Sequence, residues 1–136
     1  MATAGYSGTA LIKKLGIRPG MKVFLINPPA EYFDLLEQDI SEQIITGRQV
    51  PGLIHLFAKD NAAFKKGMEK LLRFAATNTS VIIWVSWYKK ASGIATDLTE
   101  DLIRNFALQH NLVDIKVCAV SEQWSGLKLV VPVAKR

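Results

Sequence analysis

Cysteine is almost missing from this 136-residue chain. Cys118 stands alone, so no internal disulfide forms and nothing calls for an oxidising compartment. Long apolar runs are missing too. None approaches the roughly 20 residues that a membrane-spanning helix needs, so no membrane contact is expected. Met1-Ala2-Thr3-Ala4-Gly5-Tyr6 lacks the basic-then-apolar layout of a secretory signal, and the cytoplasm is the expected location. Histidine occurs only at His55 and His110. A lone histidine in an apolar strand makes neither a metal site nor a triad, so His55 reads as a packed, hydrogen-bonded core residue. No metal site and no catalytic residue is expected. Cys118 reads as an inward-facing, buried and inert thiol, because no histidine or basic pair is fixed beside it.

Positive charge is missing from one segment. Glu31, Asp34, Glu37, Asp39 and Glu42 fall together with no Lys or Arg among them. The remaining 7 acidic residues stand among all 17 basic ones, leaving that remainder at about +10. A basic body attracts phosphates. Solvated surface lysines are the simpler explanation, and nucleic acid is not the expected partner.

What is present is an ordinary globular composition, 49% hydrophobic and 21% charged, enough for one domain over residues 1–136. The pattern predicts a short helix over Thr9–Leu15, capped by Thr9 or Ser7 and stopped by Gly16. A strand follows over Lys22–Asn27, ended by Pro28-Pro29, then a short helix over Ala30–Leu36 and a brief edge strand at Ile44-Ile45. Gly52–Phe57 reads as a strand. Asp60 or Asn61 caps a helix whose Phe64, Met68, Leu71, Leu72 and Ala75 recur at helical spacing. Val81–Val85 is wholly apolar, as in a central strand buried on both faces. Asp97 and Glu100 resemble a capping box before a helix to about His110, with Leu98, Leu102, Ile103 and Phe106 inward and Asn111 ending it. Ile115–Val120 and Leu127–Val131 read as an antiparallel hairpin turning through Ser121–Gly126. The alternation predicts a three-layer α/β sandwich with a mainly parallel sheet of five or six strands, closed by that hairpin.

In such a sheet the loops leaving the carboxyl ends of the strands share one edge, where ligands bind. Four loops are expected there: Asn27–Tyr32, Ala58–Asn61, Ser86–Gly93 and Glu122–Gly126. They bring together Ser86, Trp87, Tyr88, Lys89, Lys90, Ser92, Gly93, Trp124 and Ser125, with Asn27 nearby. Lysines and free N–H groups at a helix start favour an anion, and the aromatic rings offer a flat surface to a planar group. The competing explanation has Trp87 and Trp124 packing over the sheet edge and the lysines merely solvated.

Leu11-Ile12-Lys13-Lys14-Leu15-Gly16-Ile17-Arg18-Pro19-Gly20-Met21-Lys22-Val23 resembles the approach to the first strand of the Rossmann-like methyltransferase fold, and the closing strand, helix and hairpin resemble it too. That resemblance implies S-adenosylmethionine held by a Gly-rich loop after the first strand and an acidic residue ending the second. Here the loop is Asn27-Pro28-Pro29-Ala30-Glu31-Tyr32, without a glycine, and the stretch to Pro51 is short for a full βαβ unit. No cofactor is therefore expected. From about Ser7 to Val131 the chain also resembles a bacterial family of small proteins sharing a domain of unknown function. Trp84-Val85-Ser86-Trp87, Lys89-Lys90, Gly93, Asp97-Leu98-Thr99 and Trp124-Ser125-Gly126-Leu127-Lys128-Leu129-Val130 carry that likeness. It implies fold and kinship and supplies no activity.

The expected function is a non-catalytic binding or interaction module, with self-association or a protein partner. The alternative is an enzyme or sensor for an anionic, nucleotide-like metabolite at the 86–93 loop. Nucleic-acid binding through the basic body ranks third.

Overall fold

A computed structural model describes residues 9–136, and the expected Ser7 cap lies outside them. Strands β1 (Val23–Ile26), β2 (Leu53–Phe57) and β3 (Ile82–Tyr88) pair in parallel. Strand β5 (Trp124–Val130) lies antiparallel between β3 and β4 (Val113–Ala119), giving the order β1-β2-β3-β5-β4. Helices α3 (Asn61–Thr77) and α4 (Glu100–Gln109) cover one face, and α1 (Leu11–Leu15) and α2 (Tyr32–Leu36) cover the other. This is the expected three-layer α/β sandwich with five strands.

The strand period of two sorts the core into two layers. Ile54, Leu56, Ile83, Val85, Leu127 and Leu129 meet Phe64, Met68, Leu71, Ile103 and Ala107 on the α3–α4 side. Leu53, Phe57, Trp84 and Trp124 meet Leu11, Leu15, Tyr32 and Leu36 on the other. A sheet covered on both faces needs strands apolar at every position, which is why β2 and the centre of β3 are continuously buried. Trp84 also donates its indole N–H to the Leu15 carbonyl at 2.8 Å, fastening the C-terminus of α1 to the central strand. Gly16 ends α1 in the left-handed conformation, as expected, while the cap position falls at Ala10.

Several boundaries differ from the sequence pattern for identifiable reasons. Strand β3 runs on through Ser86, Trp87 and Tyr88 instead of stopping at Val85, because β5 supplies partners: Ser86 faces Gly126, Trp87 faces Ser125 and Tyr88 faces Trp124. The hairpin turn is correspondingly shorter. It closes through Ser121, whose hydroxyl accepts from the N–H groups of Gln123 and Trp124. Gly126 is a strand residue, not a turn residue: a Cβ there would lie 3.0 Å from Val120 Cγ2 and 3.2 Å from the Trp84 ring. The Ile44–Ile45 edge strand is reduced to one bridge between Ile44 and Val23, with Ile45 N–H donating to the Val23 carbonyl at 2.9 Å.

Helix α4 begins later than its charges suggest. Thr99 is the N-cap, accepting from the Leu102 N–H at 3.2 Å, so the Asp97–Glu100 capping box does not form. Leu98 lies ahead of the helix yet is buried, and Ile103 and Phe106 pack on the core as expected, whereas Leu102 is exposed and Ala107 takes the inward place beside Ile103. Asn111 is left-handed, φ 61°, as expected of the residue ending the segment. Cys118 is half-buried against the α1–α2 layer. Burial pushes its thiol pKa up, with Lys14, Lys116 and Lys89 pulling against that.

Candidate functional site

The carboxyl ends of β1, β2 and β3 open onto one sheet edge, together with the turn joining β4 to β5. Two hollows lie along that edge. The lysine hollow, about 890 Å³, lies between Trp87–Lys90 and the start of α4. The proline hollow, about 680 Å³, lies between Asn27–Glu31 and the start of α3, with Trp124 and Gln123 on its far side. Both volumes fall in the range of small-molecule sites. Tyr88 lines both hollows. Its half-buried ring stacks on the buried indole of Trp124, centroids 4.3 Å apart at 26°.

Three ties hold this edge in shape. The Lys89 N–H donates to the Gln123 carbonyl at 2.9 Å, joining the loop after β3 to the hairpin turn. The Thr96 hydroxyl donates to the Lys59 carbonyl at 2.7 Å, and the Asp97 carboxylate accepts from the Asn61 N–H at 2.7 Å. Asp60 caps the same helix through the Ala63 N–H at 2.8 Å. Two carboxylates thus already satisfy donors at the start of α3, where the helix dipole favours negative charge. The loop between β3 and α4 is pinned to the β2–α3 turn at both Thr96 and Asp97.

The charge around the lysine hollow is mixed. Lys89 and Lys90 contribute on one side, Glu100 and Asp101 on the other. Both carboxylates bind Arg104, which also donates from Nε to Asp114 at 3.0 Å. The Asp114 and Glu100 bonds push the guanidinium pKa up, so Arg104 stays charged and neutralises part of the acidic wall. The two lysines therefore set the sign that a ligand meets at their side of the hollow.

Of the expected site residues, Trp87, Tyr88, Lys89, Lys90, Gly93 and Ser125 meet at the lysine hollow. Asn27 and Trp124 line the proline hollow instead. Ser86 lines neither. It is fully buried, and its Oγ lies 2.7 Å from His55 Nε2, while His55 Nδ1 lies 2.9 Å from the Tyr32 hydroxyl. Ser92 is spent on its own turn, donating to the Lys89 carbonyl at 2.6 Å and accepting from the Ile94 N–H. Trp87 and Trp124 are packed, 7% and 4% exposed, so the aromatic surface offered to a ligand is chiefly Tyr88.

His55 is the packed, hydrogen-bonded core residue that the sequence suggests. Its ring stacks on Phe57 at 4.2 Å, and burial pushes its pKa down to about 3. It is neutral near pH 7, so one ring nitrogen donates and the other accepts along the Tyr32–His55–Ser86 chain. Burial also raises the Tyr32 hydroxyl pKa. Solvent does not reach these three side chains, which makes the chain a satisfied polar element of the core. The sequence carried a signal for it only in part: His55 alternates with Phe57, but neither partner is predictable from spacing.

The residues that follow β1 do not fit S-adenosylmethionine in the manner that the methyltransferase resemblance implies. Asn27 supplies a left-handed turn at φ 55°, but Pro28 and Pro29 present no N–H groups to an approaching ligand. Strand β1 pairs directly with β2, and among the described residues its other edge meets only the Ile44 bridge. Among the described residues no further strand stands there to end in a ribose-binding carboxylate.

No family model and no curated protein matches the chain. Solved structures are similar in fold. Sp1610 of Streptococcus pneumoniae, provisionally assigned as a tRNA (m1A22) methyltransferase, aligns with TM-score 0.58 and 9% identity over 90% of this chain and 70% of that one. The same protein in complex with S-adenosyl-L-methionine gives 0.53 and 10% over 88% and 72%. A Streptococcus agalactiae protein of the NADB-Rossmann superfamily gives 0.52 and 9% over 96% and 71%. Identities this low speak to architecture alone: the chain has a Rossmann-like α/β fold similar to that of S-adenosylmethionine-dependent methyltransferases.

Proposed function

We propose that this chain is a non-catalytic binding module on a reduced methyltransferase-like scaffold, and that its ligand is a small anion carrying a flat group. The observation that carries this reading is Tyr88. Its ring is held against Trp124, remains partly exposed, and stands beside Lys89 and Lys90. A planar group stacking there gains on the order of 1 kcal/mol beyond its area burial. The lysines attract the ligand's charge from the neighbouring side of the hollow. The buried histidine, His55, is sealed in the core, and Glu100 and Asp101 in the wall of the hollow are both tied to Arg104, which favours recognition over acid–base turnover. Kinship with the bacterial family of unknown function belongs to the same proposal, resting on the Trp84–Trp87 and Trp124–Val130 sequences.

Calorimetry with ADP, a phosphorylated sugar and S-adenosylmethionine tests it. Binding of ADP that weakens about tenfold in a Lys89→Ala/Lys90→Ala variant, with ADP recovered unchanged, is the expected result. Equal affinity in the variant moves the ligand elsewhere. Robust turnover lost on Lys89→Ala contradicts the non-catalytic reading.

A further inference from the structure

A third hollow, about 560 Å³, lies on the opposite edge of the sheet, between the last turns of α3 and the 47–50 turn that precedes β2. Its cations are Arg48, Lys70 and Arg73, and among the described residues no carboxylate lines it. Lys70, Arg73 and Thr77 recur at i, i+3 and i+7, which puts them along one flank of α3. All three ion pairs found among the described residues belong to Arg104, so Arg48, Lys70 and Arg73 have no acidic partner there. The negative end of the α3 dipole, equivalent to about half a charge, is outweighed by three full positive charges.

The apolar side of the hollow is equally definite. Phe24 and Phe74 meet edge to face, centroids 5.2 Å apart, and Val50 beside them is half exposed. Concave apolar walls with a few converging charges are the general form of a small-molecule site. A phosphate monoester carries close to two negative charges near pH 7 and suits a cluster of three cations, while arginine's planar fork pairs with phosphate oxygens two at a time. We propose that this hollow binds an aromatic phosphate monoester, its ring against Phe24, Phe74 and Val50 and its phosphate among Arg48, Lys70 and Arg73. The site is separate from the lysine hollow and does not depend on the reading given to it.

Titration of 15N-labelled protein with phenyl phosphate, followed by amide shifts, tests the proposal. Inorganic phosphate and benzyl alcohol serve as the two half-ligands. The expected result is shifts over residues 47–50 and 70–77, with phenyl phosphate at least about tenfold tighter than either half. Arg48 and Arg73 are exposed, so an Arg48→Ala/Arg73→Ala variant folds and loses about tenfold in the affinity read from residues 47–50 and 70–77, whereas Lys89→Ala/Lys90→Ala leaves the titration of those same residues unchanged. Absence of binding, shifts confined to other residues, phenyl phosphate no tighter than inorganic phosphate, or full affinity in the double arginine variant each overturns it.

Discussion

The Asp97 carboxylate accepts a 2.7 Å hydrogen bond from the backbone N–H of Asn61, so a residue just ahead of one helix serves the first turn of another. With the bond from Thr96 to the Lys59 carbonyl, this contact decides where the loop after β3 lies and therefore the shape of the lysine hollow.

Asp97→Ala removes that bond and leaves Asn61 N–H to water. The expected cost is about 1 kcal/mol, the usual size of a lost helix cap, because Asp60 still holds Ala63. Asp97→Asn keeps an acceptor and recovers most of it. Denaturant unfolding of the three proteins checks the order: wild type, then Asn, then Ala.

His55 predicts the direction of a pH effect. Its folded pKa of about 3 lies below the unfolded value of 6.5, so below pH 6.5 the unfolded chain binds a proton that the folded chain refuses. Its effect is absent above about pH 6.5. As pH falls from there towards 3, it removes stability by up to about 1.4 kcal/mol per pH unit. Replacing His55 by Gln removes this titration while keeping polar atoms for Tyr32 and Ser86. The stability difference between wild type and His55→Gln should therefore shrink from pH 7 to pH 5. A constant difference contradicts the buried neutral imidazole.

Gly67→Ala sets helix propensity against packing. Alanine improves a helix interior by about 1 kcal/mol over glycine. At this position its Cβ would fall 2.4 Å from Leu56 Cδ1 and 2.8 Å from Cδ2, in a core where both residues are buried. Overpacking costs about 1–3 kcal/mol, so thermal unfolding is expected to show a lower Tm despite the better helix former.

The sheet order was not contained in any one segment, yet its class was legible. Val81–Val85 and Leu53–Phe57 show strands apolar on both faces, which requires helices on two sides. Phe64, Met68, Leu71 and Ala75 likewise mark the buried side of α3. What escaped local reading depended on partners distant in sequence. Ser86 looked like the first residue of a polar loop because nothing near it shows that Gly126 lies across the sheet and His55 waits on the neighbouring strand. Asp97 and Glu100 have capping-box spacing, but Asp97 is drawn away by Asn61 and Glu100 by Arg104. Gly67 carried no signal at all, since its role is set by Leu56 in space.

The candidate edge was legible as a place and less so as a set of residues. Tyr88, Lys89 and Lys90 meet at the lysine hollow, as loops after parallel strands allow. Trp87 and Trp124 turned inward because pairing with β5 fixes which face each takes. The third hollow was invisible because Arg48 and Arg73 lie 25 positions apart and converge only when α3 returns past β1.

We propose that Tyr88 and its neighbouring lysines receive an anionic planar ligand, while Ser86 serves only the core. Titration with ADP of wild type, Tyr88→Ala and Ser86→Ala tests it most directly. Tyr88→Ala is expected to weaken binding about tenfold, while Ser86→Ala lowers stability by about 1–3 kcal/mol and leaves affinity unchanged. Affinity unaffected by Tyr88→Ala but lost in a folded Ser86→Ala protein would contradict it.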